Sequence, residues 1–359
     1  MTITAQKTAM ALATGLFLAT SAFAQTAPDF TVYGRIDLGL ESYNNGQFNR
    51  TMVQNFASRF GVKGERAFSP ALSGIFQVET GIAPDDTAQS KAFASRNSFV
   101  GLKSSSMGTV LIGTYDTPLK SLDAGGYAGT LYGEGEAMEV VIHGKGTATV
   151  TSTTFANVHT RALNNLVYIS PKFNDFVAKA SYSTDEQTSL TATTNQPLYS
   201  ASIEWNNGMM NAGVATQTKL VSDALFAMTA TKLTFGATMG NFSGAIVVSS
   251  LDNQAPLAAN GRKTSNALVV LNYVDGPMTY KFNTGMSGES AANAQDDFQM
   301  YALEAAYALD KKTTLYASAA QILTGAKGKA TFVGADNAPA VSTAGADPTA
   351  LTFGIRYNF

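Results

Sequence analysis

Leu351-Thr352-Phe353-Gly354-Ile355-Arg356-Tyr357-Asn358-Phe359 ends the sequence. Leu351, Phe353, Ile355, Tyr357 and Phe359 alternate strictly with Thr352, Gly354, Arg356 and Asn358. Period two marks a strand with one apolar and one polar face. Such a strand presents an open edge unless both sides are paired. The same alternation begins at Phe30. There Phe30, Val32, Ile36, Leu38 and Leu40, with Gly34 among them, oppose Thr31, Tyr33, Arg35, Asp37, Gly39 and Glu41. We therefore expect the stretch near Phe30 to pair with the terminal strand and close a sheet.

The composition suits many half-apolar strands. Of 359 residues 45% are hydrophobic, but only 14% are charged, against roughly 25% in a soluble domain. A mean hydropathy of +0.01 is too low for a bundle of membrane helices. Glycine is frequent, with 32 residues, and aromatics make up 10%. No cysteine is present, which excludes disulfides and thiolate chemistry. A formal net charge of −2 gives no reason to expect nucleic acid as a partner.

The N-terminus gives the compartment. Lys7 precedes an apolar, small-residue run from Ala9 through Phe23, which ends Ala22-Phe23-Ala24 before Gln25. This reads as a secretory signal peptide over residues 1–24, with the working domain over 25–359. No later apolar run is long enough for a membrane helix.

Strands are expected at Phe30–Glu41, Met52–Arg66, Ala71–Ile82, Ala94–Lys103 and Thr109–Tyr115, and eleven more between Arg161 and Phe359. The total is about sixteen, an even number as single-chain outer-membrane barrels have. Short turns at Ala67–Pro70, Ser104–Gly108, Pro171–Asn174, Asn206–Gly208, Gly240–Asn241, Asp275–Pro277 and Asp310–Lys312 alternate with long polar connections. A soluble sandwich has no reason to keep one end so terse. An outer-membrane barrel does, with short turns on the periplasmic side and long loops outside. Backbone polar groups cannot stay unpaired in lipid, so the sheet must close. The expected fold is an all-β transmembrane antiparallel barrel. Its apolar face meets lipid and its polar face lines an aqueous lumen. Phe30, Phe68, Phe173, Phe176, Tyr273, Tyr280 and Phe359 lie near strand ends as candidates for an interfacial girdle.

One connection stands apart. Thr117 to Thr160 runs for about 44 residues without a sustained strand pattern, and segments of that length are usually functional. If it folds inward it brings Asp123, Glu134, Glu136 and Glu139, with Asp116 at its root. The alternation of the earlier strands places Arg35, Arg59, Lys63 and Arg96 on the polar face, and Arg161 is a further candidate. Opposed cationic and anionic walls across a narrow gap make a transverse field that sets ion preference. His143 and His159 are the only histidines, and nothing in their spacing demands a metal. No nucleophile motif is present. Gly125-Gly126 to Gly129 lacks the strand–helix context of a phosphate cradle. No cofactor and no catalysis are expected.

Several motifs resemble the general diffusion porins of Gram-negative outer membranes, most nearly their beta-proteobacterial branch. They are Val32-Tyr33-Gly34-Arg35-Ile36-Asp37-Leu38-Gly39-Leu40, Ser58-Arg59-Phe60-Gly61-Val62-Lys63-Gly64-Glu65, Arg96-Asn97-Ser98-Phe99-Val100-Gly101-Leu102-Lys103 and the terminal Gly354-Ile355-Arg356-Tyr357-Asn358-Phe359. Asn164-Asn165 to Ser170-Pro171-Lys172-Phe173 resembles the family's re-entry after its third loop. The resemblance implies a sixteen-stranded barrel, a homotrimer, and a third loop folded into the pore. It also implies outer-membrane lipid and lipopolysaccharide as surroundings, small hydrophilic solutes and ions as cargo, and a barrel-assembly machinery that reads Phe359. It puts Arg35, Arg59 and Arg96 on the basic wall. Thr114 departs from the family's common arginine. Val167 and Ile169 stand where charge is common, and Tyr132-Gly133-Glu134-Gly135-Glu136 replaces the usual Pro-acid-Phe-Gly-Gly stretch. The alternatives are a substrate-specific channel for an anion such as a phosphate or carboxylate, and a plugged structural or adhesive barrel.

Overall fold

A computed structural model describes residues 29–86, 91–126, 131–142, 160–184, 196–221, 226–253, 262–290, 295–336, 339 and 341–359. The expected signal peptide, His143, His159 and Gly129 lie outside the described residues.

One antiparallel sheet closes on itself. Strand β1 (Asp29–Asn44) pairs with β17 (Thr349–Asn358) from Arg35↔Asn358 to Asn44↔Thr349. The expected closure is therefore observed. Gly34 and Phe359 exchange two backbone hydrogen bonds of 3.1 Å. A Cβ at Gly34 would collide with the Phe359 ring, so the seam needs a glycine there.

The other edge of β1 faces two segments, β2 (Asn49–Asn55) and β3 (Arg59–Ser69). They are halves of the single strand expected at Met52–Arg66. Between the pairs Arg35↔Arg59 and Leu38↔Asn55, three residues on one strand oppose two on β1. This extra residue is a bulge. Ala57 takes φ 60°, and Asp37 holds the bulge through Phe56 N–H to its carbonyl at 3.0 Å and its own N–H to Ser58 Oγ at 2.9 Å. Counting β2 and β3 as one, the barrel has sixteen staves.

The wall continues through β4 (Leu72–Gly81), β5 (Ser98–Ser104), β6 (Gly108–Asp116), β7 (Arg161–Ile169), β8 (Phe176–Ser183) and β9 (Leu198–Asn206). It is completed by β10 (Met210–Val221), β11 (Phe226–Met239), β12 (Phe242–Asn253), β13 (Arg262–Asp275), β14 (Met278–Ser287), β15 (Phe298–Ala308) and β16 (Thr313–Thr324). One expected boundary is corrected. The strand placed at Ala94–Lys103 starts only at Ser98, because Ala94 has φ 57° and residues 94–97 are held by irregular bonds to β4. Arg96 therefore stands in a bend.

Along β17 the odd residues are exposed outward from Leu351 to Phe359, while Thr352 is buried. Phe30, Val32 and Leu40 are exposed while Asp37 and Glu41 are buried inside. The outer wall is apolar, as a surface in lipid must be. Phe30, Phe68, Phe173, Phe176, Tyr280 and Phe359 are exposed on it, and half-buried Tyr273 stacks on Tyr280 at 6.4 Å.

The rule that the inward face is polar holds for only part of the circumference. Val247, Leu268, Val270, Met300 and Ile322 point inward and are fully buried. The long connection, in the position of the third loop, and the last connection cover them. The long connection's α1 turn (Pro118–Ser121) is capped by Thr117, whose hydroxyl accepts Lys120 N–H at 3.3 Å. Leu119 and Leu122 pack on Ala215, Met228, Ala230 and Leu251. Gly213 leaves the space that Leu122 fills. Farther on, a 3-10 turn (Gly133–Gly135) and a π turn (Met138–Ile142) set Met138, Val140, Val141 and Ile142 against the apolar inner wall. Burying each such side chain is worth about 1.5–3 kcal/mol.

In the last connection residues 330–336 also turn inward. Ala330 and Phe332 are 1% exposed, and the Tyr43 hydroxyl donates to Pro339 O at 3.1 Å. The Tyr43 and Phe332 rings meet edge to face at 5.9 Å.

Candidate functional site

Two inward connections leave a water-accessible cavity of ≈ 690 Å³ inside the barrel. Its basic lining is Arg35, Arg59, Arg96, Lys120, Arg161, Lys281 and Arg356, and its acidic lining is Asp116, Glu136, Glu139 and Asp336. Phe56 and Ala57 of the bulge, Leu131, Tyr132 and Gly133 from the long connection, and Val333, Gly334 and Ala335 from the last one complete it.

Strand phase and local bends deliver the cations. Arg35 and Arg59 are register partners on β1 and β3. Arg35 Nε donates to Asn358 Oδ1 at 3.3 Å. Arg96 is ion-paired with Glu79, and Arg59 Nε lies 4.0 Å from the same carboxylate. The Tyr33 hydroxyl donates to Glu79 at 2.9 Å. Glu79 is 8% exposed and stands behind the guanidinium groups. The bend that takes Arg96 out of the strand also brings Asn97 to the root of the long connection. Asn97 donates to Asp116 Oδ2 at 2.9 Å and accepts Arg161 Nε–H at 2.8 Å. Asp116 pairs further with Arg161 at 3.2 Å and with Lys120 at 3.3 Å.

A second cluster adjoins the first, because β17 pairs with β1. The Tyr132 ring lies 3.9 Å from the Arg356 guanidinium and 4.2 Å from Lys281 Nζ, two cation–π contacts on one ring. Arg356 Nε donates to Asp37 Oδ2 at 2.6 Å, and Lys281 pairs with Glu304 at 2.9 Å. Tyr316 donates to Asp37 at 2.9 Å, and Tyr132 N–H is bonded to Glu304. Asp37 and Glu304 are nearly inaccessible, so these pairs also present their cationic ends to the water.

The expected site residues fall into four groups. Arg35, Arg59, Arg96, Arg161, Asp116, Glu136 and Glu139 line the cavity together. Lys63 and Asp123 do not. Lys63 is exposed, with Nζ 5.1 Å from the Tyr33 ring, and Asp123 closes a turn by accepting Gly126 N–H at 3.0 Å. Glu134 is 1% exposed and faces the last connection, where it accepts Gly334 N–H at 2.7 Å and Ala335 N–H at 3.2 Å. Burial first, then the Glu41 carboxylate, pushes the Glu134 carboxyl up to about 8. Phe359 sits at the seam.

Lys120, Lys281, Arg356, Tyr132 and Asp336 were missed by sequence reasoning. Lys281 and Arg356 occupy polar phases of their strands and could have been found that way. Lys120 follows Asp116 by four residues, a spacing that favours a pair on a helical turn. Asp336, bound to Asn55 at 2.7 Å and Lys91 at 3.2 Å, carries no local signal. Among the described residues no three His, Asp or Glu side chains converge on a metal position.

A family model described as Gram-negative porin matches residues 8–327. The major outer membrane protein P.IB of Neisseria gonorrhoeae is 32% identical over 118 residues, covering 30% of this chain and 33% of that protein. P.IB of Neisseria lactamica is 26% identical over 163 residues, 43% of this chain and 44% of that protein. The chain thus spans between a third and a half of the curated relatives it matches. Among solved structures, the anion-selective porin from Comamonas acidovorans superposes with a TM-score of 0.76 at 20% identity, covering 93% of this chain and all of that one. The trimer form of OmpT from Vibrio cholerae gives 0.68 at 16% identity, covering 93% of this chain and all of that one. Both show the same fold.

Proposed function

Because the chain belongs to the Gram-negative porin family, we propose that it is a passive, water-filled channel of the outer membrane for ions and small hydrophilic solutes. The observation that carries this reading is the charged cavity inside a closed barrel. Its walls are polar groups already bonded to one another, with no reactive constellation among the described residues. A solute passing such walls exchanges water for fixed charges and returns to water, which is diffusion with selectivity.

The lining favours anions. Seven cationic side chains reach the cavity against four acidic ones, and Asp37, Glu79 and Glu304 lie behind their cations. In a narrow gap with low-dielectric walls this asymmetry acts on every permeating ion. Glu136 and Glu139 supply the opposing acidic side, and the field between the two walls orients dipolar solutes. The chain works as a homotrimer in outer-membrane lipid and lipopolysaccharide, and Phe359 at the seam is read by the barrel-assembly machinery.

Single-channel recording of refolded protein in a KCl gradient tests the reading. Stepwise ohmic conductance with a reversal potential of the chloride sign is expected. Silence from a protein whose folded barrel is shown by heat-dependent gel mobility overturns the channel and favours a plugged structural barrel. A potassium-sign potential overturns the anion preference alone.

A further inference from the structure

The cavity is bounded by two connections far apart in sequence, and one side chain ties them. Both carboxylate oxygens of Glu134 accept backbone N–H groups of the last connection, from Gly334 and Ala335. The contact is close, because a Cβ at Gly334 would collide with the Gly133 carbonyl. Glu134 belongs to a turn held at every side. Gly133 takes φ +65° and lies flush on Ser318 and Thr352. Asn283 donates to Gly135 O at 3.4 Å, and the preceding Tyr132 ring is gripped by Arg356 and Lys281. The same last connection supplies Val333, Gly334, Ala335 and Asp336 to the cavity wall.

We propose that Glu134 is a positioning residue that clasps the third loop to residues 330–336, so that the two segments set the constriction as one proton-responsive unit. The inference rests on the channel reading for its functional consequence but not for the clasp itself. The charged and titratable groups around the clasp are Glu136 on its own turn, Glu41 and Tyr43 on β1, Lys281 on β14, Glu304 on β15, Arg356 on β17 and Asp336 on the last connection. The cations are engaged by Tyr132, Asp37 and Glu304. Among the described residues, the hydrogen bonds of the Glu134 carboxylate are to backbone donors, and the Glu41 and Glu136 carboxylates and the Tyr43 hydroxyl stand near it.

The sign follows from linkage. Burial and Glu41 hold the docked carboxyl at about 8, above its ordinary 4.5. The docked state therefore binds the proton more tightly than a released, hydrated Glu134. This contribution to docking is fully present below the ordinary value and is lost as pH rises through about 8. Alkaline solution loosens the clasp.

The experiment compares wild type, Glu134→Gln and Glu134→Ala in planar bilayers between pH 5 and pH 10, with amide hydrogen exchange of the 330–336 backbone measured in parallel. Wild type is expected to show a rise in conductance and open-channel noise centred near pH 8. Glu134→Gln, uncharged and still able to accept, is expected to lose the step and stay at the acid level. Glu134→Ala is expected to lose the step, stay at the alkaline level, and exchange at Gly334 and Ala335 at least about tenfold faster. A step retained in Glu134→Gln, or conductance and exchange of Glu134→Ala equal to wild type at acid pH, overturns the clasp. A silent channel whose 330–336 protection factors, taken relative to the intrinsic base-catalysed rate, fall through about pH 8 sinks the channel reading and leaves the clasp standing. A conducting channel with pH-independent protection factors does the reverse.

Discussion

The inner surface of the barrel has two different halves. From β1 through β7 it is wet except where Leu111 and Val167 lie buried, and Arg35, Arg59, Arg96 and Arg161 face water with carboxylates or amides tucked behind them. From β12 through β16 it is largely dry, where Val247, Leu268, Val270, Met300 and Ile322 lie fully buried beneath the two inward connections. Both halves obey the same two-residue alternation. The difference teaches that inward polarity is set by what covers the wall. Bare lumen selects charge, whereas a docked loop selects a hydrophobic contact that holds it inside the barrel.

The strongest way to break the contrast is to make the dry wall chemically like the wet one. Leu268→Glu places a carboxylate with no cation at a fully buried contact. An uncompensated buried charge of this kind costs several kcal/mol. The third loop is expected to leave the wall, conductance to rise, and protease to cleave within residues 117–160 while heat-dependent gel mobility still reports a folded barrel. Lys63→Glu changes charge by more, but at an exposed inward position of the wet half, and is expected to leave the loop protected. Equal protease resistance in both variants would erase the distinction between the halves.

The contrast also explains what the sequence revealed. Alternation from Phe30 and through Leu351–Phe359 located the seam, because lipid on one side and lumen on the other impose period two on every stave. The terse turns placed both ends of the barrel. Arg35 and Arg59 were legible because the wet wall keeps its strand phase. Arg96 reached the cavity for a different reason, since its backbone leaves the strand at Ala94. The dry half was illegible. Leu268 and Val270 carry the same apolar character as the lipid-facing Leu271, and phase alone does not say that a loop covers them. Glu134 looked like a pore carboxylate because burial by a segment 200 residues away leaves no local mark.

A smaller effect sharpens the wet half. Arg59→Ala combined with Arg96→Ala leaves Glu79 with Tyr33 as its remaining described side-chain partner. Two positive charges leave the lining and one carboxylate loses its counterions. Potentials of several kT act across such a gap, so the cation-to-anion permeability ratio is expected to rise on the order of several-fold. The reversal potential in a KCl gradient measures it. An unmoved potential would show that Arg35, Arg161, Lys120 and the Arg356 cluster fix the preference without this pair.

The smallest effect is expected where the halves join. Tyr132 belongs to the loop docked on the dry wall, yet its ring is held by Arg356 and Lys281, cations of the cavity. The contacts use the ring face, each worth about 0.5–2 kcal/mol. Tyr132→Phe keeps that face and is expected to match wild type in conductance and noise. Tyr132→Ala removes both contacts while Asp37 and Glu304 still hold the two cations. It is expected to raise open-channel noise and speed exchange at the Gly133–Gly135 turn, with ion preference nearly unchanged. If Tyr132→Ala instead shifts the reversal potential as far as the double arginine variant, the ring is screening Arg356 and Lys281 from permeating ions. The two halves would then be coupled through charge as well as through packing.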